Sequence, residues 1–391
     1  MDSVCFSCGS QGPRVFYGRK DVPVHSVLLM PTREIAVNYP KGDIALSFCR
    51  ECGFIFNQAF LPDRQEYSSS YEGTQAFSPT FSEYARGLAE RLIDRYNLRG
   101  KSIMEIGCGK GEFLSLLCEL GGNRGVGFDP GYSEGRIKSQ TGSHITVIRD
   151  VYSERYADHI ADFICCRMTL EHIQGVGGFV RALSRSIGDR SDAIVFFQVP
   201  DASRILREAA FWDIYYEHSS YFSPGSLARL FRRCGFEVLG LWKEFNDQHI
   251  TIEARPSSGR HFPPLAQEEA PDALGRDVEH FSTHYTAKLA RWRRDLERRW
   301  RNGRRVVIWG SGSKGVGFLT TLDLRNEIEY AVDVNPYRQG TYMAGTGQKI
   351  VPPAFLSDYR PDVVIVMNSV YAGEIRQSLN GLGLTPELII A

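Results

Sequence analysis

Two passages of this 391-residue chain limit its fold more than any others. Each runs from a strand-like segment through a glycine loop into a helix, then into a second strand that ends at an acidic residue. In the first, Ser102-Ile103-Met104-Glu105-Ile106 opens into Gly107-Cys108-Gly109-Lys110-Gly111, a helix follows from Glu112 to Leu120, and the strand Arg124 to Phe128 ends at Asp129. In the second, Arg305 to Trp309 leads into Gly310-Ser311-Gly312-Ser313-Lys314-Gly315, and the strand Ile328 to Val332 ends at Asp333. Glycine permits positive φ in a tight turn and lets a backbone approach a ligand closely. Further strands are predicted at 145–149, 161–166, 193–199, 236–242, 248–254 and 362–367, with helices between most of them. This alternation predicts doubly wound α/β domains built on parallel sheets.

The N-terminal sixty residues read differently. They are short apolar runs broken by Gly, Pro and two cysteine pairs, Cys5-Phe-Ser-Cys8 and Cys49-Arg-Glu-Cys52. Two CxxC pairs supply the four thiolates of a closed tetrahedral zinc site, and metal substitutes for core in a lobe this small. Nine cysteines is an odd number, and the other five, Cys108, Cys118, Cys165, Cys166 and Cys234, sit in apolar surroundings. A reducing cytoplasm fits this usage better than a disulfide framework. No signal peptide is expected at the N-terminus, and no apolar run reaches the roughly 18 residues that a membrane span requires. The 46 basic and 46 acidic residues balance, which gives no electrostatic case for nucleic acid or an anionic membrane. A small-molecule partner is expected instead.

A polar stretch, Glu66 to Glu72, precedes a helical pattern through Phe81, Tyr84, Leu88 and Leu92. Pro256 to Asp272 reads as a linker. Beyond it, Tyr285, Leu289, Trp292, Leu296 and Trp300 recur at helical spacing with arginines on the other face, which predicts an amphipathic brace. The boundaries implied are a zinc lobe at 1–65, an α/β core at 66–255, a linker and bracing helix at 256–304, and a C-terminal α/β domain at 305–391.

The chemistry-bearing segment is 211–223, Phe-Trp-Asp-Ile-Tyr-Tyr-Glu-His-Ser-Ser-Tyr-Phe-Ser. It gathers Tyr215, Tyr216, Glu217, His218 and Tyr221 just after a predicted strand. An imidazole suits a general base at neutral pH, and a neighbouring carboxylate or phenol orients it. His172, in Leu170-Glu171-His172-Ile173, follows another strand at the sheet edge where α/β ligands sit. An aromatic helix end with a satisfied histidine reads equally well from the local sequence.

Glu105-Ile106-Gly107-Cys108-Gly109-Lys110-Gly111 departs from the dinucleotide pattern G-x-G-x-x-G and resembles motif I of class I S-adenosylmethionine (SAM) methyltransferases. The resemblance implies that Glu105, Gly107, Gly109 and Gly111 hold the amino-acid and ribose parts of SAM, and Asp129 suits the ribose hydroxyls. The Trp309 to Gly315 loop with Asp333 admits an NAD reading, ranked below a structural or sugar-nucleotide-facing role. Taken together, these motifs resemble the three-part sugar C-methyltransferases that act on nucleotide-bound 4-keto-6-deoxy sugars. The resemblance extends to Tyr71 to Phe81 and to Tyr216-Glu217-His218-Ser219-Ser220-Tyr221-Phe222-Ser223. It implies a class I methyltransferase Rossmann-like core between the zinc lobe and a Rossmann-like C-terminal domain. It also implies His218 as base, with Tyr215, Glu217, His172 and Tyr71 steering it or stabilising an enolate, and Gln75 on the cofactor. Tyr216, Tyr221, Asn368 and Tyr371 are implied as substrate contacts. Zinc on Cys5, Cys8, Cys49 and Cys52 is implied to be structural, positioning the Tyr71 region over the cleft.

Two departures stand out. The family commonly carries histidine where this chain has Tyr216. It also tends to carry a Gly-Gly-Ser strand entry where this chain has Phe245-Asn246-Asp247-Gln248-His249-Ile250-Thr251. His249 is either a substituted substrate contact or a strand histidine facing solvent.

Overall fold

The computed structural model describes residues 4–391 except 66, 137–143, 258, 260–262 and 325. Glu66 of the polar stretch, and Ser258, Arg260, His261 and Phe262 of the linker, therefore lie outside the described residues.

Three sheets organise the chain. The N-terminal sheet is antiparallel and contains β1 (Arg14–Pro23), β2 (Lys41–Phe48) and β3 (Ile55–Asn57). Its fourth strand, β9 (Ser220–Tyr221), comes from the segment that carries the predicted base. Ile55 pairs with Tyr221 and Phe56 with Ser220. The lobe is therefore not closed within its first sixty-five residues.

The central sheet holds β4 (Ser102–Ile106), β5 (Arg124–Phe128), β6 (Ile145–Ile148), β7 (Phe163–Arg167), β8 (Ile194–Pro200), β10 (Phe236–Glu244) and β11 (His249–Pro256) in the order β10-β11-β8-β7-β4-β5-β6. It is mixed, which corrects the expectation of an all-parallel sheet. β11 runs antiparallel to both β8 and β10, because a tight turn joins β10 to β11 and a hairpin reverses direction. Phe245, Asn246 and Asp247 in that turn all lie at positive φ (53°, 56° and 58°). This left-handed conformation is ordinarily occupied by glycine, so the turn carries real strain where this chain departs from the Gly-Gly-Ser pattern.

The C-terminal sheet is parallel, in the order β14 (Lys349–Val351), β13 (Tyr330–Val332), β12 (Val306–Trp309), β15 (Val363–Val366), β16 (Glu387–Ile390). β14 and β16, three and four residues long, were not anticipated from the sequence. In both α/β sheets the glycine loop follows a strand flanked on either side by parallel neighbours, the switch point where such folds open a crevice.

Local chemistry fixes the elements around the crevice. The Pro79–Tyr96 helix starts with Ser78 accepting from Phe81 N and with proline at its first position, and it buries Leu88, Leu92 and Ile93. The Pro224–Arg233 helix begins with a reciprocal capping box between Ser223 and Ser226, so the last residue of the 211–223 segment is a cap. The Pro271–Arg301 helix braces all three units. Phe281 meets Phe16 and Tyr17 of the lobe, and Trp292 meets Phe318 of the C-terminal domain. Its buried stripe stops at Leu296. Trp300, expected on the packed face, is 49 % exposed, while its neighbour Arg299 still reaches Glu387 of the C-terminal sheet (2.7 and 2.9 Å). No helix among the described residues is long and apolar enough to cross a membrane.

Candidate active site

A single cavity of about 1150 Å³ is lined by both glycine loops and by the histidines. Gly107 lies at φ +71°, and a Cβ there would stand 2.0 Å from Thr169 Oγ1, so only glycine fits. Asp129 receives Gly109 N–H at Oδ2 (2.8 Å) and Gly131 N–H at Oδ1 (2.7 Å). Each carboxylate oxygen keeps a lone pair for a ribose hydroxyl. Glu105 is buried with Oε2 lacking a protein partner, and burial pushes its carboxyl up to about 8. An orphaned buried oxygen beside a glycine cradle fits the polar end of SAM. Gly111, expected on the cofactor, does not line the cavity: at φ +83° it is the N-cap of the Glu112–Gly121 helix.

Deeper in, His218 is 4 % exposed, its ring 4.2 Å from that of Tyr215 and 4.9 Å and perpendicular to that of His172. Burial, then the neighbouring His172, holds His218 well below the ordinary histidine range. Burial lowers His172 to about 4 and raises Glu171 to about 8. Tyr71, Tyr215, His172 and His218 all line the cavity, as does Tyr67, which the sequence reading passed over. Burial, then the Glu217 carboxylate, raises the Tyr71 phenol well above its usual value.

Glu217 stands behind this group rather than on the cavity. Ser26 donates to its Oε2 through both N–H (2.8 Å) and hydroxyl. Burial lifts Glu217 to about 6 against those bonds. The remaining polar residues of the segment act on backbone. Ser219 Oγ donates to Glu171 O (3.2 Å), Ser220 Oγ to Ile173 O (3.1 Å), and Tyr221 OH to Tyr215 O (3.2 Å). They stitch the two histidine segments together.

Tyr216 and Tyr221 correct the sequence reading: neither lines the cavity. Tyr216 is buried against Phe60 (5.3 Å), its hydroxyl accepting Leu61 N–H at 2.9 Å, with Gly42 packed on its ring. Bulky aromatic rings read alike in sequence whether they face a ligand or a core.

The C-terminal domain supplies the opposite wall. Asn368 and Gln248 exchange amide bonds at 2.7 and 2.9 Å, Lys314 Nζ donates to Gln248 Oε1 (2.8 Å), and Tyr371 OH donates to Gln75 Oε1 (2.6 Å). Gln75 thus faces the C-terminal wall, bound to Tyr371. His249 also lines the cavity, stacked on Phe245 at 5.0 Å with Nδ1 unpartnered, so it does not face solvent. Two groups went unread in the sequence. Asp213 bridges Arg204 and Lys314 (2.5 and 3.1 Å), and Glu72 takes Arg136 (3.0 Å) and Asn335 (3.1 Å) while its carbonyl takes Arg338. Asp213 lay in plain view within 211–223, but of its partners only Arg204 is near in sequence, and Lys314 is 101 residues away.

Cys5, Cys8, Cys49 and Cys52 converge with all four Sγ atoms within 4.8 Å of one another. Cys5–Cys52 and Cys8–Cys49 are each 3.7 Å apart. Tetrahedral sulfur at about 2.3 Å from zinc would be spaced roughly 3.8 Å, so the donor set fits that ion. Arg229 of the Pro224–Arg233 helix donates to Cys52 O, and β3, which follows the second pair, carries β9. The residues on either side of Tyr71 bond to the stretch after β1, where Leu29 N–H donates to Ser70 O and Glu72 N–H to Val27 O.

Comparison with known proteins places these features in context. Residues 80–241 match a family described as a methyltransferase domain, and residues 264–384 one described as a C-methyltransferase C-terminal domain. The C-methyltransferase NovU of Streptomyces niveus is 25% identical over 344 residues, covering 84% of this chain and 80% of that protein. The ubiquinone biosynthesis O-methyltransferase of Neisseria meningitidis serogroup C is 23% identical over 192 residues, 44% of this chain and 75% of that protein. Among solved structures, magnesium protoporphyrin IX methyltransferase of Synechocystis PCC 6803, with bound SAH, aligns at TM-score 0.36 and 15% identity, covering 46% of this chain and 84% of that one.

Proposed function

The chain belongs to the SAM-dependent C-methyltransferases that join a methyltransferase domain to a C-methyltransferase C-terminal domain, and on that premise we propose that it methylates the carbon beside the ketone of a nucleotide-linked keto-deoxysugar through an enolate generated by His218. The observation that carries this reading is one cavity shared by the SAM loop, the buried His218 imidazole and the C-terminal wall, with a volume of about 1150 Å³ that accommodates two ligands side by side.

In this reading Glu105, Gly107, Gly109 and Asp129 hold SAM, which supplies an electrophilic methyl and departs as S-adenosylhomocysteine. His218 takes the proton from the carbon beside the ketone. The C–H electron pair passes into the enolate, the phenol of Tyr215 hydrogen-bonds its oxygen, and Tyr71, its hydroxyl directed to Glu217, steers His218. Glu217, fixed by Ser26, holds Tyr71 in place, and His172 packs edge-on to keep the His218 ring in its orientation. The enolate carbon then forms its bond to the methyl, while the proton remains on His218. His249, Asn368 and Tyr371 contact the sugar nucleotide. Zinc on the cysteine tetrad is structural, since four thiolates leave no open position. Residues 1–65, 66–255, 256–304 and 305–391 serve as lobe, core, brace and substrate domain. The five cysteines outside the tetrad, all buried and none in a disulfide, support a reducing, cytoplasmic setting.

The test is solvent exchange. A keto-sugar nucleotide incubated with the protein in D₂O without SAM should gain deuterium beside the ketone. His218→Asn should lose roughly 10²–10⁴ of that rate and keep its affinity for SAM. Methyl transfer to a hydroxyl or amine of another small molecule, with no exchange into any ketosugar, would replace this reading with an O- or N-methyltransferase.

A further inference from the structure

The cavity contains a set of ligand-type atoms that enolisation uses only in part. A carboxylate oxygen of Glu171, a ring nitrogen of His172 and a ring nitrogen of His218 lie within 4.8 Å of one another. Glu171 is 1 % exposed, yet its Oε2 has no hydrogen-bond partner, and neither does His172 Nδ1. A buried polar atom left unmade costs on the order of 1–3 kcal/mol, so two of them in one cluster point to something that binds both. The backbone of Glu217 also engages the His172 ring, the kind of contact that orients a metal-ligating histidine. His172 and His218 line the cavity, so open positions on an ion here would face the substrate space.

We propose that Glu171, His172 and His218 form a second metal site, separate from the cysteine tetrad, which takes a borderline divalent ion such as Zn²⁺ and silences the enzyme when filled. Two imidazoles and one carboxylate are the donor set of open zinc sites, whereas Mg²⁺ and Ca²⁺ prefer oxygen donors. Zinc–nitrogen and zinc–oxygen bonds of about 2.0–2.2 Å require ligand atoms a little over 3 Å apart, which small side-chain rotations from the present spacing achieve. A bound ion takes up the lone pair on His218, leaving the substrate proton without an acceptor. The silencing rests on His218 being the base; the site itself does not.

The experiment titrates the zinc-loaded protein with Co²⁺ while recording visible absorption and heat. One further equivalent should bind, with ligand-field bands and no thiolate charge transfer. Its affinity should fall roughly tenfold or more in His172→Ala and in the near-isosteric Glu171→Gln, each first shown to bind SAM as the unmodified chain does. The same additions should suppress deuterium exchange into the ketosugar, and EDTA should restore it. Absence of the extra equivalent overturns the site. So does uptake that survives both variants and disappears in His284→Ala, because it would belong to the exposed His280–His284 pair, whose rings stack at 4.0 Å. Uptake with the expected variant pattern but undiminished exchange keeps the site and refutes both the silencing and the base assignment.

Discussion

Replacing Tyr216 by phenylalanine separates a buried strut from a substrate contact. The ring stays, with its packing on Phe60 and Gly42, so the perturbation is one hydroxyl. That hydroxyl accepts Leu61 N–H at 2.9 Å inside the junction of lobe and core. Its loss leaves a backbone donor without a partner, at a cost of about 1–3 kcal/mol, partly offset because a polar oxygen no longer has to be buried. A net loss near 1.5 kcal/mol is a little over tenfold in a folding equilibrium and roughly 3–6 °C in melting temperature for a cooperative unit of 150–250 residues. Urea and thermal melts should show this loss, while kcat and KM stay within about twofold. Gly42→Ala approaches the same ring from the other side: its Cβ would lie 2.3 Å from Tyr216 Cε2, so it should also destabilise with kinetics preserved. A Tyr216→Phe protein that melts normally but loses tenfold or more in kcat/KM would refute the reasoning and return Tyr216 to the substrate.

Three further outcomes follow from the geometry. Gly107→Ala should abolish measurable SAM binding by calorimetry with the remainder of the fold intact, since Thr169 occupies the space and φ is positive. Asp213→Asn should cost about 3 kcal/mol in urea melts at neutral pH, the low end for a broken buried pair, because Arg204 retains Glu208 and Lys314 retains Gln248. Burial alone would raise the Asp213 carboxyl, but Lys314 and Arg204 outweigh it and hold it below the ordinary value. Its stabilisation is therefore fully present above about pH 4 and lost as pH falls through the depressed value, so the gap between the two proteins should close on acidification. Cys52→Ser should lower the zinc content from one ion per chain and the melting temperature by roughly 5 °C or more; full zinc retention would dismiss Cys52 as a ligand.

Much of the architecture was legible because it rests on local periodicity. The strands at 102–106 and 124–128, the helix through Leu88 and Leu92, and the position of both glycine loops follow from alternation and turn chemistry. The reversed strand β11 was not legible: its apolar pattern is that of any buried strand, and only the turn at 245–248 sets its direction. At the site, the residue types could be read but not their facing. His218 and Tyr215 face the cavity while Glu217 backs it and Tyr216 and Tyr221 turn away, all within seven residues. That sorting comes from long-range partners, namely Ser26, Leu61, Glu171 and Ile173, which no local pattern announces.

The pairing of β9 with β3 bears on how such a chain can be re-engineered. Because Ser220 and Tyr221 complete the N-terminal sheet two residues after His218, the boundary of an exchangeable module does not fall at residue 65. A chimera that imports the first sixty-five residues of a relative inherits a sheet whose last strand was shaped by a different partner. Grafts intended to move substrate preference between relatives should therefore carry 1–65 and 211–223 together, as one discontinuous cassette.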